Sequence, residues 1–293
     1  KKIKRYIIRT NTSSEINFTL AKQVFNDYVK KFDREDGSIL LKITHTYHVV
    51  DLSEYIAKEQ GLDEENVALA KLIALLHDIG RFKQVTLLRN FSDKGFDHAD
   101  YGVKILFEEN LIRKFIPTNK YDEIIKKAIY THNKYKIEDG LNELEELHCK
   151  IIRDADKLDI LEIFVINGED TILIGKNNGY EVTPNITKEF LDALFQGKQI
   201  DRKYQKYFLD WYLNTLTFLF DINYAKSFEI IKDKKYIDTT IDLIEKIVPE
   251  DKEIFEKIRE YMNNYIKERI YWPFGYGTVI RKHFSCKKFR AGI

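Results

Sequence analysis

Of five successive stretches of helical periodicity, four place a histidine or an aspartate on their apolar face and one opens on a histidine, and this pattern restricts the fold more than any other feature. The first carries Leu41, His45, Val49, Leu52 and Ile56, spaced by four, four, three and four. His45 therefore lies on the stripe a helix would bury. In the second, Leu69, Ile73 and Leu76 form the stripe, His77 follows Ile73 by one turn, and Asp78 comes next. Further on, Ile125 and Ala128 share a face with His132, and Ile152 and Ile160 share one with Asp156. His98 opens its own stretch behind Asp97, a candidate N-cap. Gly102, one turn later, would let that helix approach a neighbour closely.

Burying an imidazole or a carboxylate among apolar groups costs several kcal/mol unless it is paired or metal-bound. Singly, each of these residues has a plain structural explanation. A lone histidine on an apolar stripe is usually a satisfied core residue, a His-Asp dipeptide arises by chance, and Asp156 has Arg153 close by for an ion pair. Together, six such residues on five helices would need six separate explanations, whereas one metal centre satisfies them all.

The rest of the chain agrees with a mostly helical fold. Four prolines and 13 glycines are few for 293 residues, and Pro117, Pro184, Pro249 and Pro273 fall between periodic stretches. Helices are predicted near 15–32, 39–59, 64–79, 98–110, 121–132 and 142–166. After a Gly/Asn-rich break at 168–184, four more are predicted near 187–196, 204–221, 224–247 and 251–269. Residues 171–174 read as a short strand or an extended connector. Ser38 is the expected N-cap before Ile39, and Gly61 and Gly80 are expected to stop helices in the left-handed conformation. The expected class is all-α, with a helical core over 14–185, a helical extension over 186–269 and a basic aromatic tail over 270–293.

Composition matters here for what it excludes. With 44% hydrophobic and 32% charged residues the chain is neither disordered nor membrane-embedded. Its apolar runs are far shorter than the ~20 residues a spanning helix needs. The opening residues are not expected to act as a secretory leader. Cys149 and Cys286 show no metal-ribbon or CxxC setting, so a reducing, cytoplasmic compartment is the expectation. The net charge of +1 hides an uneven distribution: +4 over residues 1–5 and +5 over 270–293 leave −8 over 6–269.

The order His45, His77-Asp78, His98, His132, Asp156 resembles the HD-domain superfamily of metal-dependent phosphohydrolases. KITHTYHVVDLSEYIA is similar to its first motif, LIALLHDIGRF to its second and IIRDADKLDIL to its last. FDHADYGVKIL and AIYTHNKY resemble the extra histidine motifs of members that hold two metals. The likeness covers about residues 38–166 and implies an all-α HD-domain core with a C-terminal helical extension. It also implies that one metal is bound by His45, His77, Asp78 and Asp156. A second would be bound by His98, His132 and the other oxygen of Asp78, which bridges. Imidazole and carboxylate ligands suit Mn, Fe, Co, Ni or Zn better than Mg. His132 is followed by Asn133, with no second histidine and no GYP signature, so the sequence departs from the branch acting on cyclic dinucleotides. His48 is expected outside the ligand set, as a neighbour of it or facing solvent, and His148 and His283 at the surface.

The implied activity is hydrolysis of a phosphate ester of a small metabolite, a nucleotide being the favoured substrate, by a metal-bridging hydroxide. Asp78 and Arg81 are the expected catalytic residues, with Arg81 directly after the HDIG turn as the first candidate for holding a phosphate. An ion pair for Arg81 is equally compatible. Lys134 is a second candidate at the mouth, against the plainer reading of Lys134 and Lys136 as solvated lysines. Asp154 and Asp159 either orient a histidine N–H or face solvent. Two other functional classes compete. A di-iron HD-fold oxygenase of a small molecule would use the same ligand types. A nucleic-acid-binding or regulatory module would use the tail, where Arg281, Lys282, Lys287, Lys288 and Arg290 alternate with aromatics and no acid intervenes. Packing of that tail on the acidic body is the favoured reading over nucleic-acid binding.

Overall fold

A computed structural model of the chain describes residues 14–271 apart from 169, 172–174, 176–178 and 201–203. The described residues form helices and no strand, and none of these helices is long and apolar enough to cross a membrane. The chain divides into two compact units, Lys1–Asp159 and Ile160–Ile293. The division falls inside a helix, well before the boundary expected near residue 185. The tail from 272 onward and most of the 171–174 segment lie outside the described residues.

In the first unit, α1 (Phe18–Val29) is capped by Asn17, whose side chain accepts from Leu20 N–H. Helix α2 (Gly37–Glu59) begins two residues earlier than Ser38 implied: the cap is Asp36, accepting from Ser38 N–H at 2.8 Å. A carboxylate is the stronger acceptor and gains from the positive end of the helix dipole. At the far end Gly61 (φ 71°) lets its own N–H reach Lys58 O and that of Leu62 reach Ala57 O, a left-handed stop as expected. Helix α3 (Glu64–Leu76), capped by Asp63, then packs against α2. Ile39, Val49, Ile56, Leu69, Leu72, Ile73 and Leu76 are buried in this unit, and Phe25 of α1 meets Phe82 edge-on at 5.8 Å.

The helix α4 (Arg81–Leu88) starts directly at the turn that ends α3 and was not legible as a separate element. Gly80 therefore does not stop a helix in the left-handed region; its φ is −74° and it caps α4. Its small size serves a close approach instead. A Cβ at Gly80 would lie 2.1 Å from His98 O and 2.8 Å from Gly102 N, both backbone atoms. This brings the HDIG turn against α5 (His98–Val103), which continues as a π-helical turn over Lys104–Glu108. Helices α6 (Ile112–Phe115), α7 (Asp122–Thr131) and α8 (Glu143–Asn167) follow. Helix α7 packs on both α3 and α5.

The second unit contains α9 (Lys188–Phe195), α10 (Phe208–Asn214) running into a 3-10 turn at Thr215–Asp221, α11 (Ala225–Asp233), α12 (Tyr236–Ile247) and α13 (Lys252–Tyr271). The stretch expected as one helix over 224–247 is two, broken where Lys235 takes φ 54°. Buried Asp210 accepts the backbone N–H groups of Thr187, Lys206 and Tyr207 and the Thr187 hydroxyl. It thereby satisfies donors at the starts of both α9 and α10.

Candidate metal centre

The first unit gathers all six expected residues. His45 projects from the middle of α2, His77 caps the end of α3, and Asp78 lies in the turn that follows. His98 is the first residue of α5, His132 caps the end of α7, and Asp156 comes from α8. The four imidazoles and Asp78 are buried. Asp156, with a side chain 13% exposed, marks the open side.

Two groups share one carboxylate. On one side, His45 Nε2 lies 3.5 Å from Asp78 Oδ2, 3.2 Å from Asp156 Oδ1 and 3.3 Å from His77 Nε2. His77 Nε2 is 3.7 Å from Asp78 Oδ2 and 3.6 Å from Asp156 Oδ1. On the other side, His98 Nε2 is 3.1 Å and His132 Nε2 3.8 Å from Asp78 Oδ1, and the two nitrogens stand 2.9 Å apart. Each set, His45–His77–Asp78 and Asp78–His98–His132, brings its ligand atoms close enough to hold one ion.

The outer nitrogens explain how these rings are aimed. Each Nδ1 faces an acceptor: Asp159 Oδ2 at 2.6 Å for His45, Ala74 O at 2.7 Å for His77, Asp93 Oδ1 at 2.6 Å for His98 and Ile129 O at 2.6 Å for His132. An Nδ1–H donating outward leaves a lone pair on Nε2 pointing inward. Two such lone pairs 2.9 Å or 3.3 Å apart repel, and cannot hydrogen-bond each other. A cation between them removes the conflict, so the donor set fits a divalent metal of the nitrogen- and oxygen-binding kind.

The electrostatics point the same way. Burial alone would raise the Asp78 carboxyl, but Lys42, His77, His132 and His98 hold it well below the usual carboxylate range. Asp156 likewise stays well below that range, since His45 and His77 outweigh its burial. Burial pushes His132 down to about 4, against the opposing pull of Asp78, and it is neutral at pH 7. His45 behaves differently: burial and Lys42 lower it, yet Asp156 and Asp159 leave it raised. Asp78 and Asp156 are thus both held ionised where a metal would sit.

The polar residues around the site decide between the readings left open above. Arg81 is engaged by neighbouring acceptors. Its Nη1 donates to Asp93 Oδ1 at 3.0 Å, Gln84 Oε1 at 2.6 Å and Phe91 O at 2.9 Å, leaving its buried Nε without a hydrogen bond, 3.5 Å from Asp78 Oδ1. The ion-pair alternative is the one realised, and it has a purpose: Asp93 is the carboxylate that orients His98. Fully buried Gln84 completes the arrangement, donating to Asp93 Oδ1, Ser92 O and Phe96 O. Lys134 is similarly engaged, 2.7 Å from Asp97 and 2.9 Å from Asp100, and Lys136 is a solvated lysine beside Asp139. His148 is not at the surface: it is buried, with Nε2 3.2 Å from Asn66 Oδ1. Asp159 is buried and orients His45 while also meeting His48, whose side chain is half exposed. Asp154 is buried too. His283 lies outside the described residues.

Lys42, Asp93 and Gln84 were missed by sequence reasoning. Lys42 was findable, because it precedes His45 by three residues on the same helix and therefore shares its face; its Nζ reaches Asp78 Oδ2 at 2.7 Å. Asp93 and Gln84 gave no periodic signal, since the contact depends on how the 89–97 loop folds back over α4.

Residues 43–161 match the family model described as HD domain. This span contains every residue of the two ligand groups, and over it the chain is similar to the HD domain, the likeness expected from the motifs. Proteins with this domain are generally metal-dependent hydrolases. No curated protein and no solved structure matches the chain.

Proposed function

We propose that the protein is a metal-dependent phosphohydrolase acting on a phosphate ester of a small metabolite, with a nucleotide as the favoured substrate. The observation that carries this reading is Asp78, whose two oxygens face two separate histidine groups. In this reading His45, His77, Asp78 and Asp156 hold one divalent ion, and Asp78, His98 and His132 hold a second. Bound at these positions, a metal pair supplies Lewis-acid polarisation of a phosphoryl oxygen and an activated water at neutral pH.

The chain's own residues provide the rest. Outward Nδ1–H donation keeps the four rings in one tautomer and one orientation. Lys42 stands beside the shared carboxylate with its side chain 15% exposed. With a metal held at Asp78, the Lys42 ammonium would stand within reach of a bound phosphate oxygen, the part first expected of Arg81. The partly exposed edge of Asp156 gives substrate its approach.

Metal analysis of the purified protein, followed by a phosphate-release screen over nucleotides and sugar phosphates with Mn, Fe, Co, Ni and Mg, tests the proposal. Metal-dependent phosphate release is the expected result. An iron-loaded protein that consumes oxygen and releases no phosphate from any ester would replace it with the oxygenase reading.

A further inference from the structure

Arg153 is completely buried, and it is the largest side chain so enclosed among the described residues. It projects from α8 one turn before Asp156. Its Nη1 donates to Thr131 O and, at 2.8 Å, to Lys134 O, with His132 O 3.5 Å away, while Nη2 reaches Tyr135 O at 3.4 Å. These carbonyls belong to the end of α7 and the turn beyond it, where a helix leaves its last acceptors unpaired and its dipole is negative. A planar guanidinium can bridge several carbonyls at once, which an ammonium cannot do with the same rigidity.

His132 sits at the centre of this clamp. Its Nδ1 is tied to Ile129 O within its own helix, so the ring can be no better placed than the final turn of α7. Helix α8 therefore carries three functions on successive turns: Arg153 holds the end of α7, Asp156 offers a ligand oxygen, and Asp159 orients His45. We infer that Arg153 is a positioning residue that sets His132 against Asp78, and thus controls occupancy of the second metal position selectively. This rests on the two-metal reading proposed above.

The test uses the full chain loaded with Mn(II), in Arg153→Met and Arg153→Lys variants, with bound metal per chain and electron paramagnetic resonance as readouts. The wild type is expected to bind two ions with a spin-coupled spectrum. Arg153→Met is expected to keep the first ion at wild-type affinity, weaken the second at least tenfold and show an uncoupled, mononuclear spectrum. Arg153→Lys, which preserves the charge but not the fork, should fall between. If Arg153→Met does not fold, by circular dichroism, the lysine variant decides alone. Two coupled ions at wild-type affinity in the folded variant, or equal weakening of both, overturns the inference while leaving the two-metal reading intact. A wild type that takes up only one ion overturns both.

Discussion

Asp78 contributes one oxygen to each histidine group, and the charges around it keep it ionised despite its burial. Asp78→Ala is therefore expected to abolish metal uptake at both positions together with activity, as read by elemental analysis and phosphate release. Full activity in that variant would refute the site. Substituting His98 or His132 should remove mainly one ion, and a variant still holding two would contradict the division of ligands. Asp93 acts one step further out, through His98 Nδ1. Losing an orienting partner of this kind weakens metal affinity roughly 10–100-fold, so Asp93→Asn should loosen the second ion by that factor and spare the first. Calorimetric titration with Mn(II) separates the two steps; unchanged affinity at the second would show that Asp93 serves Arg81 alone.

Among the elements, the junction of α3, α4 and α5 is the most constrained. A methyl group at Gly80 would press on the backbone of His98 and Gly102, and backbone cannot rotate away as a side chain can. Gly80→Ala is thus expected to destabilise the protein by about 2 kcal/mol or more, measured by urea denaturation. An unperturbed midpoint would mean that α5 shifts freely, which the fixed place of His98 forbids. Here the sequence was only half informative. The glycine and its position before a break were legible; α4 was not, because Phe82 and Val85 stripe an eight-residue helix too short to show a period. The single helix expected over 224–247 is broken at Lys235, whose left-handed backbone separates the stripe of Phe228 and Ile231 from that of Ile237, Ile241 and Ile244.

For the molecule as a whole, pH and metal both bear on stability. Burial lowers His148 from 6.5 to about 4. Between these values the unfolded chain binds the proton and the folded one does not, so stability falls as pH drops through that range, by up to roughly 3 kcal/mol. Replacing His148 with Gln should flatten the dependence of the unfolding free energy on pH between about 6.5 and 4; an unaltered slope in the chelated protein would assign it to other groups. A metal held by these residues would bind the folded state only, and an ion at 100 times its Kd would add about 2.7 kcal/mol. Chelation is accordingly expected to lower the melting temperature, and addition of Mn to restore it.

The sequence alone determined the helical class, most helix positions and the identity of the six residues that converge, because each of these follows from local periodicity and from residue chemistry repeated along the chain. His45, His77 and His132 were legible as ligand types on apolar stripes, and His98 as one at the start of a helix. What only the tertiary structure decided is how they face one another: which oxygen of Asp78 meets which pair, and which ring nitrogen points inward. It also committed Arg81 to Asp93 and Lys134 to Asp97 and Asp100, brought Lys42 to Asp78 and buried His148. The physical reason is common to all of these. A hydrogen bond or an ion pair is a matter of a few tenths of an ångström between residues far apart in the chain, such as His45 and Asp159, and no local period encodes that distance.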